Sequence, residues 1–295
     1  MIYLLPLISV LIWGGNAIVN KMSVSVIEPS AMSFYRWFIA FLILTPFCLR
    51  SVLKHRKVIK PHLGKLAVLA SLGMGLHQSL GYFAAVTTSA SNLALITSLV
   101  PLISLFLSVP LLGKRLSKMS LVGASVALIG LCFMLGHGDV LFFLHSTINQ
   151  GDGIMLVAAV VYALYGVLIK RWSIPLTNWQ LIYMQVSFAV IFLFPLLLTS
   201  DSYAISESAF SVVAYASIAA SIIAPWCWIK AIDRIGADNS AMFMNLMPVF
   251  AVSLAALILG EEVHSYHFVG GLMVIVGVVM TQLKLFRKKG GTVTV

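Results

Sequence analysis

Apolar residues run along this chain in stretches of about twenty, each closed by a short group of polar, glycine or proline residues. A helix needs roughly 20 mostly apolar residues to cross the hydrocarbon of a bilayer. Ten stretches qualify, near 2–20, 31–49, 65–87, 91–112, 119–136, 151–169, 178–199, 209–230, 239–259 and 267–284. The longest connections between them, 50–64 and 137–150, are too short for a separate soluble domain. The pattern therefore predicts an all-α membrane protein of ten transmembrane helices. The opening Met1-Ile2-Tyr3-Leu4-Leu5-Pro6 has no basic region and no small-residue cleavage site, and it runs straight into Trp13-Gly14-Gly15-Asn16. The first stretch is expected to be a retained span and not a removed signal peptide.

Composition agrees with the pattern. Hydrophobic residues make up 60% of the 295 and charged residues only 9%, against roughly 25% charge in soluble domains. The net charge of +10 does not point to nucleic acid, because the basic residues sit in short loops between apolar stretches. With the N-terminus placed in the cytoplasm, every one of the 19 lysines and arginines except Lys21 and Arg36 falls on the cytoplasmic side. The reverse orientation puts nearly all of them outside, against the bias that sets membrane topology. The acids support this choice: Glu28, Asp139, Asp152, Asp201, Glu207, Glu261 and Glu262 fall outside, and only Asp233 and Asp238 inside. The expected location is a bacterial inner membrane, with several passes and both termini cytoplasmic. Cys48, Cys132 and Cys227 lie in apolar stretches without metal or disulfide spacing and read as small buried hydrophobes.

The chain also repeats itself. At an offset of 149 residues Trp13 meets Tyr162, Lys21 meets Lys170, Arg36 meets Gln185, Ala40 meets Ala189 and Pro46 meets Pro195. Later the offset is 147, where Asn92, Ala94, Pro101, Gly113, Gly123 and Gly130 meet Asn239, Ala241, Pro248, Gly260, Gly270 and Gly277. Shared apolar composition does not align prolines and glycines. Five spans per copy is an odd number, so the second copy enters the membrane upside down. Charge agrees, since Lys114-Arg115 follow Gly113 whereas Glu261-Glu262 follow Gly260. The expected organisation is a first repeat at 1–136, an external connecting loop at 137–150, an inverted second repeat at 151–284 and a basic cytoplasmic tail at 285–295. Inverted repeats are a device of secondary transporters, whose halves exchange conformations to alternate access; some channels carry them too.

Trp13-Gly14-Gly15-Asn16 with Lys21, Pro29 and Arg36 resembles the opening of EamA-type transporters of the drug/metabolite transporter superfamily. So do Ser91-Asn92-Leu93-Ala94 through Pro101 to Leu112-Gly113-Lys114-Arg115-Leu116, and the second copy, Asn239-Ser240-Ala241 through Pro248 to Leu259-Gly260-Glu261-Glu262. The resemblance covers essentially the whole chain. It implies a ten-helix fold with a central cavity between the halves, lined mainly by spans one, three and four and their counterparts six, eight and nine. Similar proteins are associated with export of amino acids, other metabolites or toxic compounds, and some relatives import.

Polar side chains are expensive in hydrocarbon and tend to face protein or a water-filled cavity. In the first span Trp13 and Asn16 lie three apart, near one face, with Tyr162 and Tyr165 as counterparts. The alternative for Trp13 is an interface anchor. The third span carries the densest polar and small cluster, Gly73, Gly75, His77, Gln78, Gly81 and Tyr82, facing Pro225, Trp226 and Trp228 in its counterpart. Helix–helix hydrogen bonding and core packing are the bland readings of these. Pro101 and Pro248 are expected to interrupt spans four and nine as gating or structural elements, with Thr97, Ser98, Met244 and Asn245 one turn earlier. Arg36 is expected to be structural, snorkelling or paired with Glu28; attraction of a carboxylate is the alternative. The substrate-binding set is thus Trp13, Asn16, His77, Gln78, Tyr82, Ser98, Tyr165, Trp228 and Asn245.

No phosphate-binding G-x-x-x-x-G-K-[ST], no H-E-x-x-H and no paired intramembrane carboxylates occur. Direct ATP drive and membrane metalloenzyme chemistry are not expected, nor is any cofactor or metal. With no acid mid-span, His77 is the candidate for proton coupling. The functional expectation is a secondary exporter of small organic metabolites, amino acids or related amphipathic compounds, with membrane lipid as its solvent. An importer or exchanger is the alternative within the class, and a non-transporting membrane enzyme or assembly factor the alternative outside it.

Overall fold

The computed structural model describes residues 3–113, 116, 118–139, 149–235 and 243–287; of residues 232, 233, 235, 245 and 281–287 it describes the backbone alone. The described residues are helical and contain no strand. Helix α1 is Leu4–Ser23, α2 Pro29–Lys54, α4 Ala90–Leu112, α5 Lys118–Leu135, α6 Gln150–Trp172 and α7 Asn178–Leu197. These six and the run Glu207–Ala231 are seven helices long and apolar enough to cross a membrane. That last run continues to residue 235 as α8. Two shorter apolar segments follow, Met247–Leu259 as α9 and Ser265–Met280, the latter within α10, Ser265–Arg287. Residues 63–85, α3, are helical throughout but less apolar, because His77, Gln78, Ser79 and Tyr82 stand in their second half.

Sequence chemistry accounts for the helix ends. Ser89, Asn149 and Ser206 accept hydrogen bonds from first-turn N–H groups of α4, α6 and α8, and Thr177 with Gln180 forms a reciprocal capping box at α7. Gly113 and Gly260, partners in the sequence repeat, end α4 and α9 with φ of 66° and 65°, a left-handed conformation that glycine adopts without a Cβ penalty. Pro101 and Pro248 each open a helical stretch: α4 is interrupted at Ser98–Leu99, and the 3-10 turn Met244–Leu246 precedes α9. A helix tolerates proline there because its first N–H groups have no partner to lose. Three π-helical segments interrupt the bundle, Ser71–Leu76 in α3, Tyr215–Ile223 in α8 and Ala255–Leu259 in α9. At the sequence-repeat offset of 147 the segment in α3 falls within that in α8.

Helices α2 and α7 pack on each other, as do α5 and α10, and α4 and α9. Helix α1 packs on α8 and α9, and α6 on α3 and α4; α2 also meets α8, and α7 meets α3. Two apolar clusters result. One joins α2, α3, α7 and α8 around Trp37, Met74, Tyr183 and Val213; the other joins α3 to α6 and α10 around Ile96, Leu102, Met134 and Val274. The outer faces are as apolar as the interior, with Leu257 81% and Phe47 77% exposed. Water does not tolerate such a surface over a whole bundle, whereas lipid does.

Candidate functional site

A cavity of about 390 Å³ lies at the centre of the bundle, within the size range of small-molecule sites. It is lined from α1, α2, α3, α4, α6, α7, α8 and α9 together with Met244.

The cavity is organised around Arg36. Because α2 begins at Pro29, Arg36 sits two turns into the helix and is only 3% exposed. Its Nε donates to Ser221 Oγ at 2.9 Å, and its Nη1 lies 3.0 Å from each of Asn16 Oδ1, Gln78 Oε1 and Tyr82 Oη. Ser221 is held in turn by donating to Ala216 O at 2.7 Å, an i to i+5 bond that the π-helical segment of α8 makes available. Segments of this kind gather at functional sites because they free backbone groups and re-aim side chains. The Arg36 guanidinium also lies 5.2 Å from the centre of the Trp37 ring, whose Nε1 donates to Met74 O at 2.8 Å. No carboxylate lies within ion-pair distance of Arg36 among the described residues. The expectation of a snorkelling arginine or a pairing with Glu28 is thereby corrected. Arg36 turns inward because Asn16, Gln78, Tyr82 and Ser221 offer four acceptors there, while the Glu28 carboxylate accepts from the Asp201 N–H at 3.2 Å.

Aromatic rings form two walls. Trp13 meets Trp228 at 5.5 Å between ring centres, and Trp13 Nε1 donates to Ala220 O at 3.1 Å. His77 stacks on Tyr162 at 4.3 Å, and Tyr162 on Tyr165 at 5.4 Å. Trp13 and Tyr162 are partners in the sequence repeat, and each meets a ring from the third or eighth helix, Trp13 tilted against Trp228 and Tyr162 stacked on His77. His77 Nδ1 lies 3.0 Å from Ala158 O, which sets the ring's orientation. Gly73 is required beneath Tyr165, because a Cβ there would lie 2.6 Å from Tyr165 Cε2.

The structure thus brings Trp13, Asn16, His77, Gln78, Tyr165 and Trp228 to one cavity. Tyr82 is fully buried behind it and acts on the cavity through Arg36. Ser98 does not line it: Ser98 Oγ donates to Leu95 O at 2.6 Å, a carbonyl at the break before Pro101 that also accepts from Ser98 N. The Asn245 side chain lies outside the described residues. Ser221, Trp37 and Asn20 join the site without having been singled out. For Ser221 a signal existed, since it is a polar residue within an apolar stretch one turn before Pro225. Gln185, the repeat partner of Arg36, is buried beside Tyr165.

A second, more open recess of about 570 Å³ lies at one end of the bundle among Thr88, Asn92, Asp152, Glu261, His264 and His267. Two of its acids are occupied in holding helix ends, and Glu262 lies exposed beside His264. Asp152 accepts from Thr88 Oγ1 and Asn92 Nδ2, and Glu261 accepts from the Ala90 and Ser91 N–H groups. The central cavity is the better candidate, since groups from eight helices line it and several of its polar side chains converge on Arg36.

Comparison with known proteins agrees with this architecture. A sequence model described as the EamA-like transporter family matches residues 1–136 and 149–283. An uncharacterized transporter of Archaeoglobus fulgidus is 27% identical over 289 residues, covering 96% of this chain and 97% of the relative. The uncharacterized transporter YyaM of Bacillus subtilis is 26% identical, over 94% of this chain and 92% of its own. A protein named a probable terminal-alkyne amino-acid exporter, from Streptantibioticus cattleyicolor, is 25% identical over 73% of this chain and 71% of its own. One crystal structure matches with a TM-score of 0.64 at 17% identity, over 97% of this chain and 98% of that one, a likeness of fold.

Proposed function

The chain belongs to the EamA-like transporter family, and from that premise we propose that it is a secondary exporter of small organic metabolites working by alternating access through the central cavity. The observation that carries this reading is the central cavity itself, in which polar and aromatic groups from both halves of the chain converge around Arg36. Amino acids and related amphipathic compounds are the proposed cargo. The name of the Streptantibioticus relative favours that class and the outward direction.

We further propose ten spans in two inverted five-helix halves, at 1–136 and 151–284. Several packing facts support this. Interchanging first-half and second-half numbers turns the contacts of α1 with α8 and α9 into those of α6 with α3 and α4, and turns α2 with α8 into α7 with α3. Glycines do the same: a Cβ at Gly277 would meet Gly123 O, and one at Gly270 would meet Gly130 O, and each pair is the repeat image of the other. Both termini are placed in the cytoplasm of a bacterial inner membrane. Topology reporters fused after Lys114 and after Glu261 are expected to read inside and outside respectively; a shared side for both overturns the inversion.

Transport is tested with the purified chain in proteoliposomes loaded with a broad metabolite panel. Protein-dependent efflux of at least one organic solute is expected, and its absence across the panel counts against the reading. His77, the histidine among the described residues lining the cavity, is the proposed group for proton coupling. Efflux that does not respond to an imposed pH gradient removes that role and leaves transport intact.

A further inference from the structure

Arg36 has more donors than the protein uses. A guanidinium presents five N–H hydrogens in a planar fork and keeps its charge in proteins. Nε is taken by Ser221, and the two Nη1 hydrogens are shared among three acceptors. Nη2 has no protein acceptor among the described residues, yet it is not one of the sealed polar atoms of the interior. Arg36 also fixes its neighbours. By drawing the Gln78 carbonyl oxygen to itself at 3.0 Å, it turns the Gln78 amide NH₂ away, and that NH₂ likewise finds no protein acceptor and is not sealed. Two donor groups, one charged, are therefore left over at one wall of the cavity.

Among the described residues no carboxylate balances the charge. The described lining of the cavity contains no Asp or Glu. A cation in low-dielectric surroundings is costly unless paired, so an incoming anion gains both the leftover hydrogen bonds and the charge. The opposite holds for an ammonium group. It finds aromatic faces but no carboxylate, and it stands a few ångströms from a fixed guanidinium. Like-charge repulsion at that range in a protein interior exceeds what a cation–π contact returns.

We propose that the cavity recognises small organic carboxylates with an apolar body, anchored by Arg36 Nη2 and the Gln78 amide, and that an ammonium group is no part of what is recognised. The carboxylate sits against the Arg36 wall, and the apolar body lies between the Trp13–Trp228 pair and the His77–Tyr162–Tyr165 stack. This rests on the transport reading above and narrows its cargo, from amino acids and related compounds to carboxylates recognised without an ammonium group.

The test uses the full chain in lipid nanodiscs and four probes of one shape: 3-phenylpropionate, 3-phenylpropanol, 2-phenylethylamine and phenylalanine. Titration calorimetry is expected to show 3-phenylpropionate binding about tenfold or more tightly than the alcohol, the size of effect typical of a charge-assisted hydrogen bond. The amine is expected to bind more weakly still, and phenylalanine no more tightly than 3-phenylpropionate. Arg36→Gln should bring acid and alcohol within about threefold of each other, a loss of the charge-assisted share alone. Arg36→Gln also disturbs four protein contacts, so Gln78→Leu is the second variant; it should weaken the acid about fivefold and leave the alcohol unchanged, as loss of one hydrogen bond predicts. The wild-type panel decides without either. The proposal is overturned if amine or alcohol binds as tightly as the acid, if phenylalanine binds tenfold better than 3-phenylpropionate, if none of the four binds, or if Arg36→Gln folds and still prefers the acid. Organic cations carried in proteoliposomes by a protein that ignores carboxylates sink this inference and spare the transport reading. No flux of any solute sinks both.

Discussion

Gly277→Leu is expected to separate α5 from α10 and to remove most of the folded protein from detergent extracts. A Cβ at Gly277 would lie 2.5 Å from both Ala127 N and Gly123 O and 2.8 Å from Ala127 Cβ. Two of these three atoms are backbone, so no side-chain rotation relieves the overlap. The same closeness recurs about two turns along the same helix pair, where a Cβ at Gly130 would lie 2.6 Å from Met273 Cβ and 2.7 Å from Gly270 O. Helices in lipid have no water to drive them together. They associate by close packing, and small residues let their backbones approach. Overpacking a soluble core by a methylene or two costs about 1–3 kcal/mol, and here a whole side chain must be placed against main chain. The measurement is thermal stability by fluorescence-detected size exclusion, with Gly166→Leu as control, because a Cβ at Gly166 meets nothing within 4 Å. Gly277→Leu that elutes and melts like the control would show that this contact does not hold the bundle together. Gly130→Leu should match Gly277→Leu in severity if the two contacts are images of each other.

Those glycines were legible from the sequence as repeat partners, but not as contacts. Periodicity and length placed the helices to within a few residues, since a bilayer imposes a span that composition must meet. The stretch expected at 65–87 is helical at 63–85, and the one expected at 178–199 is Asn178–Leu197. The site was legible in part. Trp13, Asn16, His77, Gln78 and Trp228 stood out because polar or amphipathic groups in an apolar run need a reason. Arg36 was visible as a charge and was assigned the wrong neighbours, for a physical cause. Its nearest acid along the chain is Glu28, whereas its actual partners come from α1, α3 and α8, and which of them meet is decided by helix packing. Ser221 was hidden for the same reason. The π-helical turns were illegible altogether, because an i to i+5 bond leaves no compositional mark.

Glu261→Ala is expected to open one end of the bundle. The two carboxylate oxygens of Glu261 accept from Ala90 N at 2.7 Å, Ser91 N at 3.1 Å and Ser91 Oγ at 2.7 Å, so a residue following α9 closes over the N-terminus of α4. An acid suits that place, since the first N–H groups of a helix lack intrahelical partners and carry partial positive charge. The same end is tied elsewhere too, by Asp152 with Thr88 and Asn92 among others. Lys21 Nζ donates to Ala85 O at 2.9 Å and Thr88 O at 2.8 Å, and Asn149 Nδ2 donates to Thr87 O at 2.9 Å. In the proposed alternation of access the Glu261 link must break, and its charge-assisted bonds to two backbone N–H groups and a hydroxyl make it strong. Its loss is worth about 2–4 kcal/mol, enough to move a population by a factor of about 30 or more. The reporter is Thr97→Cys, at a position lining the central cavity, in a chain whose Cys48, Cys132 and Cys227 are replaced by alanine. Membrane-impermeant maleimide added outside intact cells should modify it slowly in the parent and about tenfold or more faster with Glu261→Ala. Glu261→Gln keeps one acceptor oxygen without the charge and should fall between. Equal rates in all three, with folding intact, would mean that this end is closed by packing alone. With Glu261 on the outer side, as the proposed topology has it, faster labelling would identify Glu261 as a residue that holds that end of the bundle shut.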